Sequence, residues 1–554
     1  MNFLVAALLM ASSLAGQSLP KGSSKGFPPK DYADDSAIAE LRTKAMWGDP
    51  ASQLKLGDNY FVGRGVPQDF YEAVRWYWKA AELGNAPAQV CLASCYYFAR
   101  GVSQDYSKAA AWFRSAAEQG NSDAQFALGN CYESGNGVPR DLVKAANWFR
   151  LAAEQGDISA QFTLAGYYFR GSGLPEDFLE SMKWFRKAAE KGFPKAQFFV
   201  GLQYHRGIGV EKNEIEAVKW YRKAAGQGDA EGQAALGFRY AAGEGVTQDF
   251  VEAVRWFHIA AENGDSTAQS ALGRAYYKGE GVQPDFVEAR IWFLKSAQQG
   301  NPSAQFSLGN VYRLGLGVPV DYETALSWYG KAAEKGNLEA QTNLGFMYMN
   351  GQGVQKDFKQ AVHWFLKAAE KGEPKAQYNL GVRYALGQGV PQDFQSSVEW
   401  VTRAGEQGLA KAQTALGVMY HEGKYVPQDS KVAAGWYLKA ANQGDADAQH
   451  YLGQLYLNGA GVSKDLATGL QWVRKAAIQG RPESQFLLGL FYARDEGGIH
   501  DDVEAHMWLN LAASNGQELA TEKRNLLESR MTQAQIVEAQ SRARNLSVNS
   551  ILKQ

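Results

Sequence analysis

The sequence predicts an all-α protein, an α/α superhelical solenoid of thirteen 36-residue helix-turn-helix repeats with capping helices. Three observations carry this expectation. Thirteen tryptophans recur every 36 residues without a slip, from Trp76 through Trp112 and Trp148 to Trp508. Each interval holds two stretches of helical periodicity joined by a Gly-rich hinge, and no convincing strand pattern interrupts them. A unit of this size cannot bury its own apolar face, so neighbours must share a core.

In chain order, residues 1–16 read as a signal peptide: an apolar run from Phe3 to Ala11, then small residues with Ser13 and Ala15 at the −3 and −1 positions of a cleavage site. The run is too short for a bilayer, which needs about 20 residues. Residues 17–35, rich in Gly, Ser, Pro and Lys, read as a flexible linker. Residues 36–51 resemble a lone second helix ending at Gly48 and read as the N-terminal cap. The array follows over residues 52–519 as one continuous solenoid, with capping helices and a tail over 520–554.

One key reads every repeat. The first helix runs A-Q-x-x-L-G-x-x-Y, as in Ala124, Gln125, Leu128, Gly129 and Tyr132, with its apolar positions on one stripe. Its glycine is replaced only by Ala93 and Ala165, which points to another backbone passing too close for a larger side chain. The hinge G-x-G-V-x-x-D ends the first helix with glycines and starts the second with an N-cap Asp, or with Asn213. Glu72, Glu252 and Glu288 stand where a capping box would close on that Asp. The second helix reads A-x-x-W-[FYV]-x-K-A-A-x-x-G, and its glycine suits a left-handed C-terminal residue. Trp and Tyr on the apolar stripe are expected in the core. The Gln at position 2, from Gln53 to Gln485, is expected to bond backbone where repeats meet. Beyond the last repeat, helices are expected at 520–529 and 532–544, the second opened by a capping box at Thr532 and Gln535.

Composition narrows the function. Lys plus Arg total 57 against 58 for Asp plus Glu, so no global field steers the chain to nucleic acid. The three cysteines, Cys91, Cys95 and Cys131, are expected as buried or free thiols. Cys95 and Cys131 sit on adjacent helices, whose axes pack about 8–10 Å apart, whereas a disulfide wants Cα atoms within about 7 Å. The seven histidines form no metal-binding spacing, and in the nearest candidate, His500-Asp501-Asp502 with His506, Asp501 is already a helix cap by register. There is no phosphate loop and no nucleophile elbow. No enzyme activity, cofactor or metal is expected.

The repeat key closely resembles the Sel-one-like repeat, the 36-residue relative of the tetratricopeptide repeat, over most of the chain. The run from Met531 to Arg544 resembles the tail that closes many bacterial arrays of that family. The resemblance implies an α/α superhelix that assembles other macromolecules, often in export pathways, with the first helices lining the concave side. One cysteine-rich branch has been linked to penicillin binding; this chain lacks its regular cysteine pairs.

Candidate binding residues lie where the first helix varies. Positions 4, 8 and 11 present Arg170, Arg206, Arg239, Lys278 and Arg383, with Arg274 and Arg313 on the adjoining face and Tyr97, Phe169, His205 and Tyr277 interleaved. Such a basic and aromatic stripe would suit an acidic or aromatic peptide, or a polyanionic glycan. The same residues would also fit an ordinary solvated helix face. The leading expectation is an exported, non-enzymatic scaffold that binds a protein segment along its groove. A glycan- or peptidoglycan-associated envelope protein is the alternative, and a cell-wall or β-lactam hydrolase-like activity rests on family analogy alone.

Overall fold

The computed structural model describes residues 35–494 and 500–551. The signal-peptide and linker readings, and the divergent hinge 495–499, lie outside the described residues. Among the described residues every regular element is a helix, and no helix is long and apolar enough to cross a membrane. Two compact units, 1–284 and 285–554, divide the chain inside the hinge of the seventh repeat.

Each repeat is a pair of 13-residue helices with few departures, such as Ser122–Ser134 followed by Leu142–Glu154. The first helix starts two residues before the sequence key begins, because Asn121 caps it by accepting from Ala124 N–H at 2.9 Å. It stops at Gly135, φ +77°, a left-handed C-cap. Asp141 then caps the second helix through Lys144 N–H. The expected capping box does not close. Asp69 N–H donates to the Tyr60 carbonyl at 2.9 Å, and Glu72 pairs with Arg75 instead.

Packing assigns the aromatic residues differently from the sequence. In ten of the thirteen repeats the residue after the tryptophan is a ring, and it is the sealed one: Phe113, Phe149, Phe185, Tyr221 and Tyr329 are all among the most buried side chains, while Val401, Val473 and Leu509 take the same buried place in the other three. The ring lies on the first-helix glycine, where a Cβ at Gly129 would meet the Phe149 ring at 2.5 Å. A side chain, more than a backbone, therefore excludes larger residues there. The tryptophans are mostly half-buried, with Trp508 fully enclosed, and downstream cations cover several of them, as Lys187 covers Trp184 at 3.7 Å.

The position-2 glutamines form a ladder. Gln125 Nε2 donates to the Ala117 carbonyl at 3.2 Å, joining the first turn of one repeat to the end of the last. Its Oε1 accepts from Gln155 Nε2 at 2.7 Å, thirty residues on. Where that later residue is not Gln or Asn, the buried oxygen has no partner. Gln53, Gln161, Gln305 and Gln341 face Leu83, Lys191, Lys335 and Lys371, and those four Oε1 atoms are buried and unbonded. Leu83→Gln supplies the missing donor at an exposed site, so urea unfolding should shift upward by about 1 kcal/mol. No shift would separate the ladder from stability.

Both ends of the array are capped. Helix Asp35–Met46 meets the first repeat through Ala45, whose carbonyl accepts from Gln53 Nε2 at 3.0 Å. At the other end, helix Glu518–Glu528 packs Ala520 and Leu527 against the last second helix, and Ala539 and Ala543 of helix Gln533–Ile551 pack beside Trp508. The Thr532 capping box closes as expected, with Thr532 N–H on Gln535 Oε1 at 2.9 Å. The last helix runs further than the sequence pattern, to Ile551.

Candidate functional site

Successive first helices run parallel, and within each unit they approach one another closely, as helix Pro194–Arg206 does helix Ala230–Ala242. Side chains bridge them directly: Tyr167 Oη donates to Glu133 at 2.9 Å, and His450 Nδ1 meets Ser484 Oγ at 2.8 Å. The first-helix face is thus the tighter side of each unit, and position 8 points into its seam. That placement separates the residues of the expected basic stripe.

In the first unit, Arg170, Arg206 and Arg274 reach solvent, as does Lys278 beside Glu280. Arg239 does not. Its side chain is 14 % exposed, and Nη1 is held by His205 Nδ1 at 2.7 Å, Glu214 at 3.5 Å and Glu244. Phe169 is half-buried against Phe178, and Tyr97 accepts from Asn136 Nδ2 at 2.7 Å. Tyr277 is half-buried. In the second unit, Arg313 donates to Tyr329 Oη at 3.1 Å and Arg383 to Gln388 Oε1 at 2.6 Å. His205 and Arg239 are therefore brought together, while Arg239 and Arg383 serve the scaffold.

His205, Glu214 and Glu244 bring donor atoms within 4.8 Å of one another, the separation a metal ion would need. The Arg239 guanidinium pairs with both carboxylates, lies against the His205 ring and already supplies the positive charge. Burial would raise the Glu214 carboxyl, yet His205, Lys212 and Arg239 outweigh it and hold it below the usual range. At the other end, His500 lies 3.2 Å from Asp502, Asp501 caps its helix, and His506 turns to Glu528 at 2.7 Å. These groups do not converge.

The open space lies elsewhere, on the first-helix face of the first three repeats. A hollow of about 700 Å³ is lined by one side of helix Pro50–Val62, including Leu54, Asp58, Phe61 and Val62, and by Val90, Cys91, Ser94, Cys95 and Phe98 of helix Ala86–Phe98. Small side chains create it. Cys91, Ser94 and Cys95 are together small at positions where single later repeats carry Phe199, Phe238 or Tyr167. By sequence these registers read as the variable face of the first helix, notable for its arginines; side-chain volume at positions 4, 7 and 8 was the usable signal. None of the three cysteines is in a disulfide, and burial pushes the Cys95 and Cys131 thiols up to about 12.

Comparison with known proteins gives a consistent picture. A family model described as Sel1 repeat matches thirteen times, from residues 50–85 through 482–517. A solved protective antigen of uropathogenic Escherichia coli strains, described as displaying an SLR fold, is 35 % identical, covering 92 % of this chain and 94 % of that one at a TM-score of 0.62. A Sel1 repeat protein from Oxalobacter formigenes is also 35 % identical over 59 % of this chain and 93 % of its own, at a TM-score of 0.45. No curated protein matches the chain.

Proposed function

The chain belongs to the Sel1 repeat family, and from that premise we propose that it is an exported, non-enzymatic scaffold that captures a segment of another protein along its first-helix face. The hollow on the first three repeats carries this reading, because it is a concave, mostly apolar recess with polar groups at its edges. The closed bonding of Arg239 argues in the same direction, since its cluster stabilises the repeats, and Ser484 Oγ, which lies 2.8 Å from His450 Nδ1, is buried together with that histidine away from any substrate. Export rests on the Phe3–Ala11 run and on Ser13 and Ala15.

Amide hydrogen exchange on a co-purified complex tests the scaffold reading. Protection of first helices, strongest in 50–62 and 86–98, is the expected result; protection confined to second helices, or turnover of a defined substrate, would sink it. N-terminal sequencing tests export. A mature chain beginning at or next to Gly16 is expected, and an unprocessed chain retained inside the cell would count against it.

A further inference from the structure

The hollow carries opposite charges at its two ends. Arg64 and Arg100 stand at one end, in the hinges after the first two first helices, and because those helices run parallel both cations share an edge. Both are exposed, Arg100 rests on the Phe70 ring, and among the described residues neither is drawn into an ion pair. At the far end Asp123 opens helix Ser122–Ser134 beside Asn85 and Asn121. Between them the lining is mostly apolar, from Leu54 and Val90 in the first halves of the two helices to Phe61 and Phe98 close to the arginines. Asp58, the one acid along that stretch, already accepts from Tyr77 Oη at 2.9 Å.

Resting on the scaffold reading above, we infer that this hollow takes an extended peptide of about six residues, apolar in its middle, with an acidic end on Arg64 and Arg100 and an amino or basic end toward Asp123. A 13-residue helix is about 20 Å long, and an extended chain rises about 3.3 Å per residue, which sets the six. Carboxylate on guanidinium fixes the direction of the peptide, since charge-assisted bonds are the strongest polar contacts such a site offers. The apolar side chains fill the space left by Cys91, Ser94 and Cys95.

Calorimetric titration of the full chain tests this with two probes. One is Lys-Leu-Val-Leu-Phe-Asp with free termini; the other is Gln-Leu-Val-Leu-Phe-Gln, acetylated and amidated. The charged peptide should bind about tenfold more tightly or better, and R64E/R100E should erase that preference. R170E/R206E should leave it intact. If R64E/R100E lowers helicity, R64Q/R100Q replaces it, with a smaller loss of preference expected. Equal binding of both peptides overturns the inference, as does a preference indifferent to Arg64 and Arg100. If binding is lost in R170E/R206E instead, the scaffold reading stands and the site moves. No binding of either peptide, as a hollow filled by a second copy or by residues 17–34 would give, also overturns it; the exchange footprint then decides the scaffold reading separately.

Discussion

Gly137→Val should destabilise the array by about 2–5 kcal/mol, combining a left-handed backbone with overpacking, and should do so more than an equally left-handed glycine elsewhere. Gly137 has φ +73°, and a Cβ there would run into the Tyr106 carbonyl at the start of the preceding repeat's second helix. The same close approach recurs in other hinges, at Gly101 on Phe70 and Gly389 on Phe358. Gly120 supplies the control: its φ is +88° with nothing within 4 Å of a built Cβ. Gly120→Val should therefore cost only the backbone strain, about 1–2 kcal/mol. Equal losses in the two variants by thermal and urea melts would show that the seam between repeats is not close-packed at this glycine. The chain contains one exception. Tyr425 occupies this hinge position with φ +71°, and its ring stacks on Phe394 at 4.1 Å, a contact that valine cannot reproduce.

Phe149→Ala should cost about 3–5 kcal/mol, the range for a fully buried aromatic, and Trp148→Ala should cost less. Phe149 is sealed between Gly129 of its own repeat and the Tyr167 ring of the next, 5.3 Å away. Trp148 keeps part of its surface in water. Urea midpoints of the two variants decide the order. A larger loss for Trp148→Ala would return the tryptophan to the keystone role its periodicity suggests and would contradict the packing.

Much of the site was hidden for the same reason as this order. Leu54, Phe61, Val90 and Phe98 are apolar residues on a helical stripe, and nothing in their spacing distinguishes a wall of an open hollow from buried core. Arg239 and Arg383 sit on the register that looked most exposed, yet Arg239 turns to His205 of the neighbouring first helix and Arg383 to Gln388 of its own hinge. Gln125 was half legible. Its bond to a backbone carbonyl follows from an amide near a helix start, but its second partner, Gln155, is thirty residues away and meets it only when two repeats stack.

Sequence alone settled what depends on neighbours along the chain: the 36-residue period, two helices in each, Asp and Asn at helix starts, glycine at helix ends, and membership of the Sel1 repeat family. Those features arise from periodicity and from capping hydrogen bonds within a few residues. Tertiary structure alone decided which aromatic is sealed, which hinge glycine bears another repeat, where the hollow opens and which arginines reach solvent. Each of those depends on how one repeat is rotated against the next, and that rotation is set by side-chain volume at the seam.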